Sequence, residues 1–148
     1  MSALVYFSRR YRIVASHRLH VEAMSEEENR ATFGKCNNPF GHGHNYVLEV
    51  TVAGPVSAET GMVVDMVAMD RFVHAEIVER FDHMHLNVDP LFSGELVSTT
   101  ENFVIEVEKI LQRGMAALGV RLAKVRMEET GNNSFELVLP DVGVRKAS

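Results

Sequence analysis

The spacing of apolar and polar residues predicts four strands and two helices. In residues 4–17, Tyr11, Ile13, Ala15 and His17 fall two apart and share one face, the period of a half-buried strand. Residues 44–53 repeat that period with Tyr46, Leu48, Val50 and Val52, and Gly54-Pro55 stops it. The period then changes. Met66, Met69, Val73 and Ile77 recur at helical spacing behind Asp65, a good N-cap. Val104, Val107, Leu111 and Met115 form a second helical stripe, with Ser98 and Glu101 as its capping box and Gly119 as its stop. Residues 120–129 and 134–140 return to the strand period as a closing hairpin across Gly131-Asn132-Asn133. The order ββααββ predicts an α+β domain with one sheet face covered by helices. Its open sheet edges predict edge-to-edge association of copies.

The first two strands are joined by a long polar loop. Ser25 and three glutamates open a short helical turn there, and Gly34, Pro39, Gly41 and Gly43 follow. Long ordered loops in small domains are often functional. Composition narrows the class. The chain of 148 residues, 46% apolar and 24% charged, suits a single domain spanning 1–148 around one core. A net charge of −5 without a basic run argues against a nucleic-acid surface. No apolar stretch reaches membrane-spanning length, and Arg9, Arg10 and Arg12 interrupt any signal-peptide core. Cys36 is the single cysteine, so no intrachain disulfide can form. A soluble cytoplasmic protein is the expectation.

The histidines carry the first chemical signal. His42 and His44 lie two apart at a strand entry and so point to one face, while His17 ends the first strand on the face of Ile13 and Ala15. Antiparallel pairing of the two strands brings all three imidazoles together. Three nitrogen ligands with one open position are the pattern of a catalytic zinc site. Hydrogen-bonding loop histidines are the plain alternative for an isolated H-x-H pair. The surrounding glycines, the third histidine and the nearby cysteine weigh against it. His20 and His74 read as surface residues rather than ligands.

Cys36 sits inside the loop that delivers the histidine pair. A lone cysteine is by default a small buried hydrophobe. Glycine-rich surroundings and adjacent Lys35 argue instead for exposure and a favoured thiolate. A base or nucleophile ranks above a fourth zinc ligand, which would close the metal site. Asp82-His83 places a carboxylate beside an imidazole, able to fix its tautomer and raise its basicity. Glu129 ends an apolar strand face, where an unpaired carboxylate is costly, and it can accept two parallel N–H bonds from a flat ligand edge. Glu101 is accounted for by its capping box.

The run Ser16-His17-Arg18-Leu19-His20, the segment from Gly34 to Tyr46, Asp82-His83, Val97-Ser98-Thr99-Thr100-Glu101-Asn102 and Glu129-Thr130-Gly131-Asn132-Asn133 together resemble the 6-pyruvoyl-tetrahydropterin synthase family. The similarity runs in order through nearly the whole chain. It implies the tunnelling fold (T-fold), a four-stranded antiparallel sheet with two helices, assembled as a homohexamer of two trimers. It implies Zn2+ held by His17, His42 and His44, and a small-molecule substrate, 7,8-dihydroneopterin triphosphate, converted to 6-pyruvoyl-tetrahydropterin with loss of triphosphate. By the same match Cys36, Asp82 and His83 are catalytic. Glu129 anchors the pterin, with Thr100 and Glu101 beside it. Sites in this family lie between subunits, so one chain need not supply every group.

Family members that form 6-carboxy-tetrahydropterin from the same substrate typically have a shorter spacing between cysteine and H-x-H. Here five residues, Asn37 to Gly41, separate Cys36 from His42, which resembles the pyruvoyl-forming branch. His85 and Glu128 depart from the family pattern. A non-catalytic pterin- or metal-binding protein on the same scaffold is the alternative from another class. Arg9, Arg10, Arg18 and Lys35 are the cations available for a triphosphate.

Overall fold

The computed structural model describes residues 3–141. β1 (Val5–His17) is followed by α1 (Glu26–Phe33) and β2 (His42–Gly54). The next helix, α2, runs from Met66–Val73 through a π-turn at His74–Val78 into Glu79–Phe81. β3 (Met84–His85), α3 (Thr100–Ala117), β4 (Arg121–Glu128) and β5 (Ser134–Val138) complete the chain. Among the described residues the sheet has five strands in the order β3-β1-β2-β4-β5. All neighbours are antiparallel except β3, which runs parallel to β1.

Four departures from the expected elements and their bounds have local causes. β3 has only two residues, too few to show a period, and exists through its register with Ala15 and Ser16. α1 extends the expected turn to a full helix, capped by Ser25, whose hydroxyl accepts from the Glu28 amide. β2 starts at His42 rather than 44, because its ladder with β1 continues to the His17–His42 pair. β5 ends at Val138, before Pro140, which has no amide to pair.

The alternation in the strands becomes the core. Ile13 of β1 and Tyr46, Leu48, Val50 and Val52 of β2 are fully buried. They pack against Met69, Val73, Ile77 and Phe81 of α2 and Phe103, Val107, Leu111 and Met115 of α3, so both long helices cover one face. The α2 stripe advances by four residues at each step, which in an ideal α-helix rotates it by about 40° per step. The wider π-turn at His74–Val78 slows that rotation and keeps Phe81 on the core side. Met66, expected in the stripe, is 36% exposed in the first turn. The opposite sheet face is charged: Arg10 pairs with Glu49, and Lys124 and Arg126 with Glu136. No helix among the described residues is long and apolar enough to cross a membrane.

α3 begins one residue later than its expected cap. Thr99 is the N-cap, its side chain accepting from the Asn102 amide, and Glu101 is an exposed first-turn residue rather than half of a capping box. Ser98 is drawn away because its single hydroxyl hydrogen is shared between the Arg18 carbonyl oxygen and Asn87 Oδ1. Gly119, with φ of 71°, ends the helix as expected.

Gly114 of α3 is buried under the Phe72 ring of α2, and a Cβ there would overlap the ring. Gly114→Ala is therefore expected to destabilise the fold by about 1–3 kcal/mol, despite the better helix propensity of alanine. A lower urea midpoint at unchanged slope checks this.

Candidate active site

The β1–β2 register builds the centre of the site. His17 pairs with His42 and Ala15 with His44, and the two-residue period turns all three imidazoles toward the helix-covered face. Their ring centroids lie 4.7–5.0 Å apart with near-perpendicular planes. One ring nitrogen from each falls within 4.8 Å of the other two. Gly41 makes the close approach possible. With φ of 75°, its backbone passes so near β1 that a Cβ would stand 2.8 Å from the His17 carbonyl oxygen.

The protonation pattern suits a cation. His17 is 1% exposed, and its Nδ1 lies 2.7 Å from the Ser98 carbonyl oxygen. A carbonyl only accepts, so Nδ1 carries the hydrogen and Nε2 keeps its lone pair. Burial pushes the His17 pKa down to about 4 and also lowers that of His44, so both rings are neutral near pH 7. His17 Nε2 then stands 3.1 Å from His42 Nε2, and the buried His44 Nε2 has no hydrogen-bond partner. Donors around a tetrahedral ion with metal–nitrogen bonds of about 2.0–2.1 Å sit about 3.3 Å apart. One nitrogen pair at nearly that spacing, with the orphaned His44 nitrogen within 4.8 Å of both, fits a metal ion.

Glu129 reaches the rim of this cluster from just beyond β4. Its Oε1 accepts from Thr100 Oγ1 at 2.8 Å and lies 3.5 Å from His44 Nε2 and 3.8 Å from His17 Nε2. Thr100 is 2% exposed, so its hydroxyl serves Glu129 rather than an incoming ligand. The carboxylate, 14% exposed, is held at one oxygen.

Cys36 lies in a 3-10 turn, Gly34–Asn37, half-buried. Its carbonyl accepts from the Leu19 amide at 2.9 Å, while Asn37 Nδ2 donates to the Leu19 carbonyl at 2.8 Å. These bonds tie the loop to the chain leaving His17. Burial, and after it the Glu129 carboxylate, push the Cys36 thiol above its usual pKa. That corrects the expectation that Lys35 favours the thiolate. Lys35 lines a separate pocket with Arg18 and Arg30.

Asp82 and His83 do form a pair, with His83 Nδ1 3.0 Å from Asp82 Oδ2. They clasp the open edge of β1: Asp82 Oδ1 accepts from the Val14 amide, and the His83 amide donates to the Val14 carbonyl. The Val14 amide and the His83 contact hold the Asp82 carboxyl below its usual pKa. His83 has φ of 61°, a left-handed conformation strained for a non-glycine residue. Its side chain is 77% exposed, and among the described residues no contact joins it to Cys36. One chain thus gathers His17, His42, His44, Glu129 and Thr100, with Cys36 near Glu129, and leaves the Asp82–His83 pair at the sheet edge. Glu101 makes no part of that cluster.

Sequence reasoning missed the groups that hold this arrangement. Asn87 accepts from the Arg18 amide and donates to its carbonyl, at 2.8 and 2.9 Å, and Ser98 bonds to both partners. Nothing in the residues around Asn87 signals this, because Arg18 lies 69 positions away.

The sequence pattern described as 6-pyruvoyl tetrahydropterin synthase matches residues 6–138. The human protein named 6-pyruvoyl tetrahydrobiopterin synthase is 44% identical over 126 residues, covering 85% of this chain and 86% of that one. The Pongo abelii protein of the same name is 43% identical with the same coverage. The structure of Caenorhabditis elegans 6-pyruvoyl tetrahydropterin synthase superposes with a TM-score of 0.86 at 38% identity, covering 94% of this chain and 98% of that one. The expected tunnelling-type fold therefore holds, with five strands in place of four. On the matched span, the sequence identity and the superposed fold, the chain belongs to the 6-pyruvoyl tetrahydropterin synthase family.

Proposed function

We propose that the protein is a zinc-dependent lyase that converts 7,8-dihydroneopterin triphosphate into 6-pyruvoyl-tetrahydropterin and inorganic triphosphate, a step of tetrahydrobiopterin-type synthesis. The observation that carries this reading is the convergence of three imidazoles, one with an orphaned nitrogen, beside a carboxylate already fixed by a buried hydroxyl. His17, His42 and His44 hold the ion. Zinc, when bound, supplies a Lewis acid that acidifies the hydroxyls and adjacent C–H bonds of the substrate side chain.

The protein's own groups do the rest. Glu129 accepts N–H bonds from the pterin edge, and Thr100 keeps its carboxylate in register for them. Cys36, deprotonated in the loaded site, takes and returns protons at the side-chain carbons. His83, oriented by Asp82, relays them. Because His83 projects from the sheet edge, it serves the cysteine of a neighbouring copy. β3 covers only Ala15 and Ser16 of the outer edge of β1, and β5 is an edge strand. Those open edges support the expected ring of three chains, paired into a homohexamer.

Metal removal tests the reading. Chelated protein is expected to release no triphosphate from dihydroneopterin triphosphate, and added zinc to restore release. Full turnover by metal-free protein contradicts it. The roles also separate by variant. Glu129→Gln keeps the Thr100 contact and the fold but removes the charge facing the pterin. It should raise KM by at least roughly tenfold, as loss of a charge-assisted pair does, at unchanged zinc content. A fall in zinc with unchanged KM would assign Glu129 to the metal instead.

A further inference from the structure

The catalytic loop has a second side. Arg18, Arg30 and Lys35 line a pocket of about 480 Å³ with Glu26, Asn37 and Asn38. Its position is fixed by covalent neighbours: Arg18 follows the metal-binding residue His17, and Lys35 and Asn37 flank Cys36. The Arg18 Nε donates to the Asn37 carbonyl at 3.2 Å, which orients the guanidinium and leaves its other N–H groups unused by that bond.

Several cations among the described residues already have a carboxylate. Arg9 holds Asp70 through two bonds of 2.6 and 2.8 Å, and Arg10 holds Glu49 at 2.8 Å. On the helix-free face Lys124 and Arg126 share Glu136, and Arg126 also meets Glu128. By contrast, among the described residues neither Arg18 nor Lys35 has a carboxylate within 4.0 Å, and Arg30 meets Glu26 only at that limit. The pocket thus carries three cations against one carboxylate, a surplus that stands out in a chain with net charge −5.

We propose that this pocket is the subsite for the triphosphate arm of the substrate, which rests on the reading above that a pterin triphosphate is turned over. Glu129 takes one end of the ligand, the histidine centre its side chain, and Arg18, Arg30 and Lys35 the polyanion. A forked guanidinium suits phosphate oxygens bidentately, and the lysine adds a point charge. Arg9 and Arg10, available on sequence grounds, are excluded because their charges are already spent on Asp70 and Glu49.

The test uses the zinc-loaded protein and two probes, dihydroneopterin triphosphate and unphosphorylated dihydroneopterin. Arg30→Gln/Lys35→Gln changes two exposed side chains and is expected to raise KM for the triphosphate at least roughly tenfold. Affinity for unphosphorylated dihydroneopterin and zinc content should not move. Arg18→Gln should act in the same direction, and Arg12→Gln, on the helix-free face, should do nothing. Unchanged KM in the double variant, an equal loss for both probes, or an equal effect of Arg12→Gln overturns the subsite while leaving the proposed reaction intact. Wild-type protein that turns over no pterin triphosphate removes both.

Discussion

Cys36→Ala is expected to keep its zinc and its fold while turnover falls by about 10²–10⁴-fold, the range for removal of a general acid–base group. Three roles for the thiol predict three different outcomes. A small buried hydrophobe would tolerate alanine with little effect on activity. A fourth metal ligand would take metal with it. A proton-transfer group leaves metal content and stability in place and removes rate. The structure favours the third because Cys36 sits beside the imidazole cluster without joining it: the nitrogens that meet within 4.8 Å come from His17, His42 and His44 alone among the described residues. In the metal-free site burial and Glu129 hold the thiol protonated. A nearby cation reverses that balance by favouring the anionic form. Metal analysis beside single-turnover rates separates the outcomes, and a fully active Cys36→Ala protein would remove the thiol from the chemistry.

His42→Ala is expected to lose metal, and with it all measurable elimination. Its ring provides one of the three nitrogen donors that meet within 4.8 Å. Removal of a partner outside the ligand set typically costs 10–100-fold in metal affinity, so loss of a ligand should exceed roughly that. The fold should survive, because His42 lies at the very start of β2 and outside the hydrophobic core. Stoichiometric zinc in purified His42→Ala protein would refute the ligand assignment.

Sequence reasoning reached the parts of this molecule that repeat. The period of two placed Tyr11, Ile13, Ala15 and His17 on one buried face, and the same period aimed His42 and His44 at that face. Asp65 was legible as a cap because capping is local, and it does accept from the Ala68 amide. What escaped depends on partners distant in sequence. Ser98 looks like a helix cap until Arg18 and Asn87 are seen to claim its hydroxyl. β3 is held only by pairing with β1. Along the chain the charged neighbour of Cys36 is Lys35, but in space it is Glu129 that acts on the thiol. Arg30 joins the basic pocket because α1 is a full helix, which its short polar stretch did not announce.

The left-handed His83 is the clearest case of local cost tied to long-range structure. Its backbone is turned so that both polar groups of Val14 are satisfied and β3 can run beside β1. Such strain persists only where surrounding bonds over-determine it, and here it presents an imidazole oriented by a carboxylate at an exposed edge.

The central claim is that this site performs pyruvoyl-forming elimination. Zinc-loaded protein incubated with 7,8-dihydroneopterin triphosphate, followed by identification of the pterin, tests it most directly. The account predicts inorganic triphosphate and 6-pyruvoyl-tetrahydropterin. A 6-carboxy pterin released with acetaldehyde would contradict it and assign the chain to the other outcome.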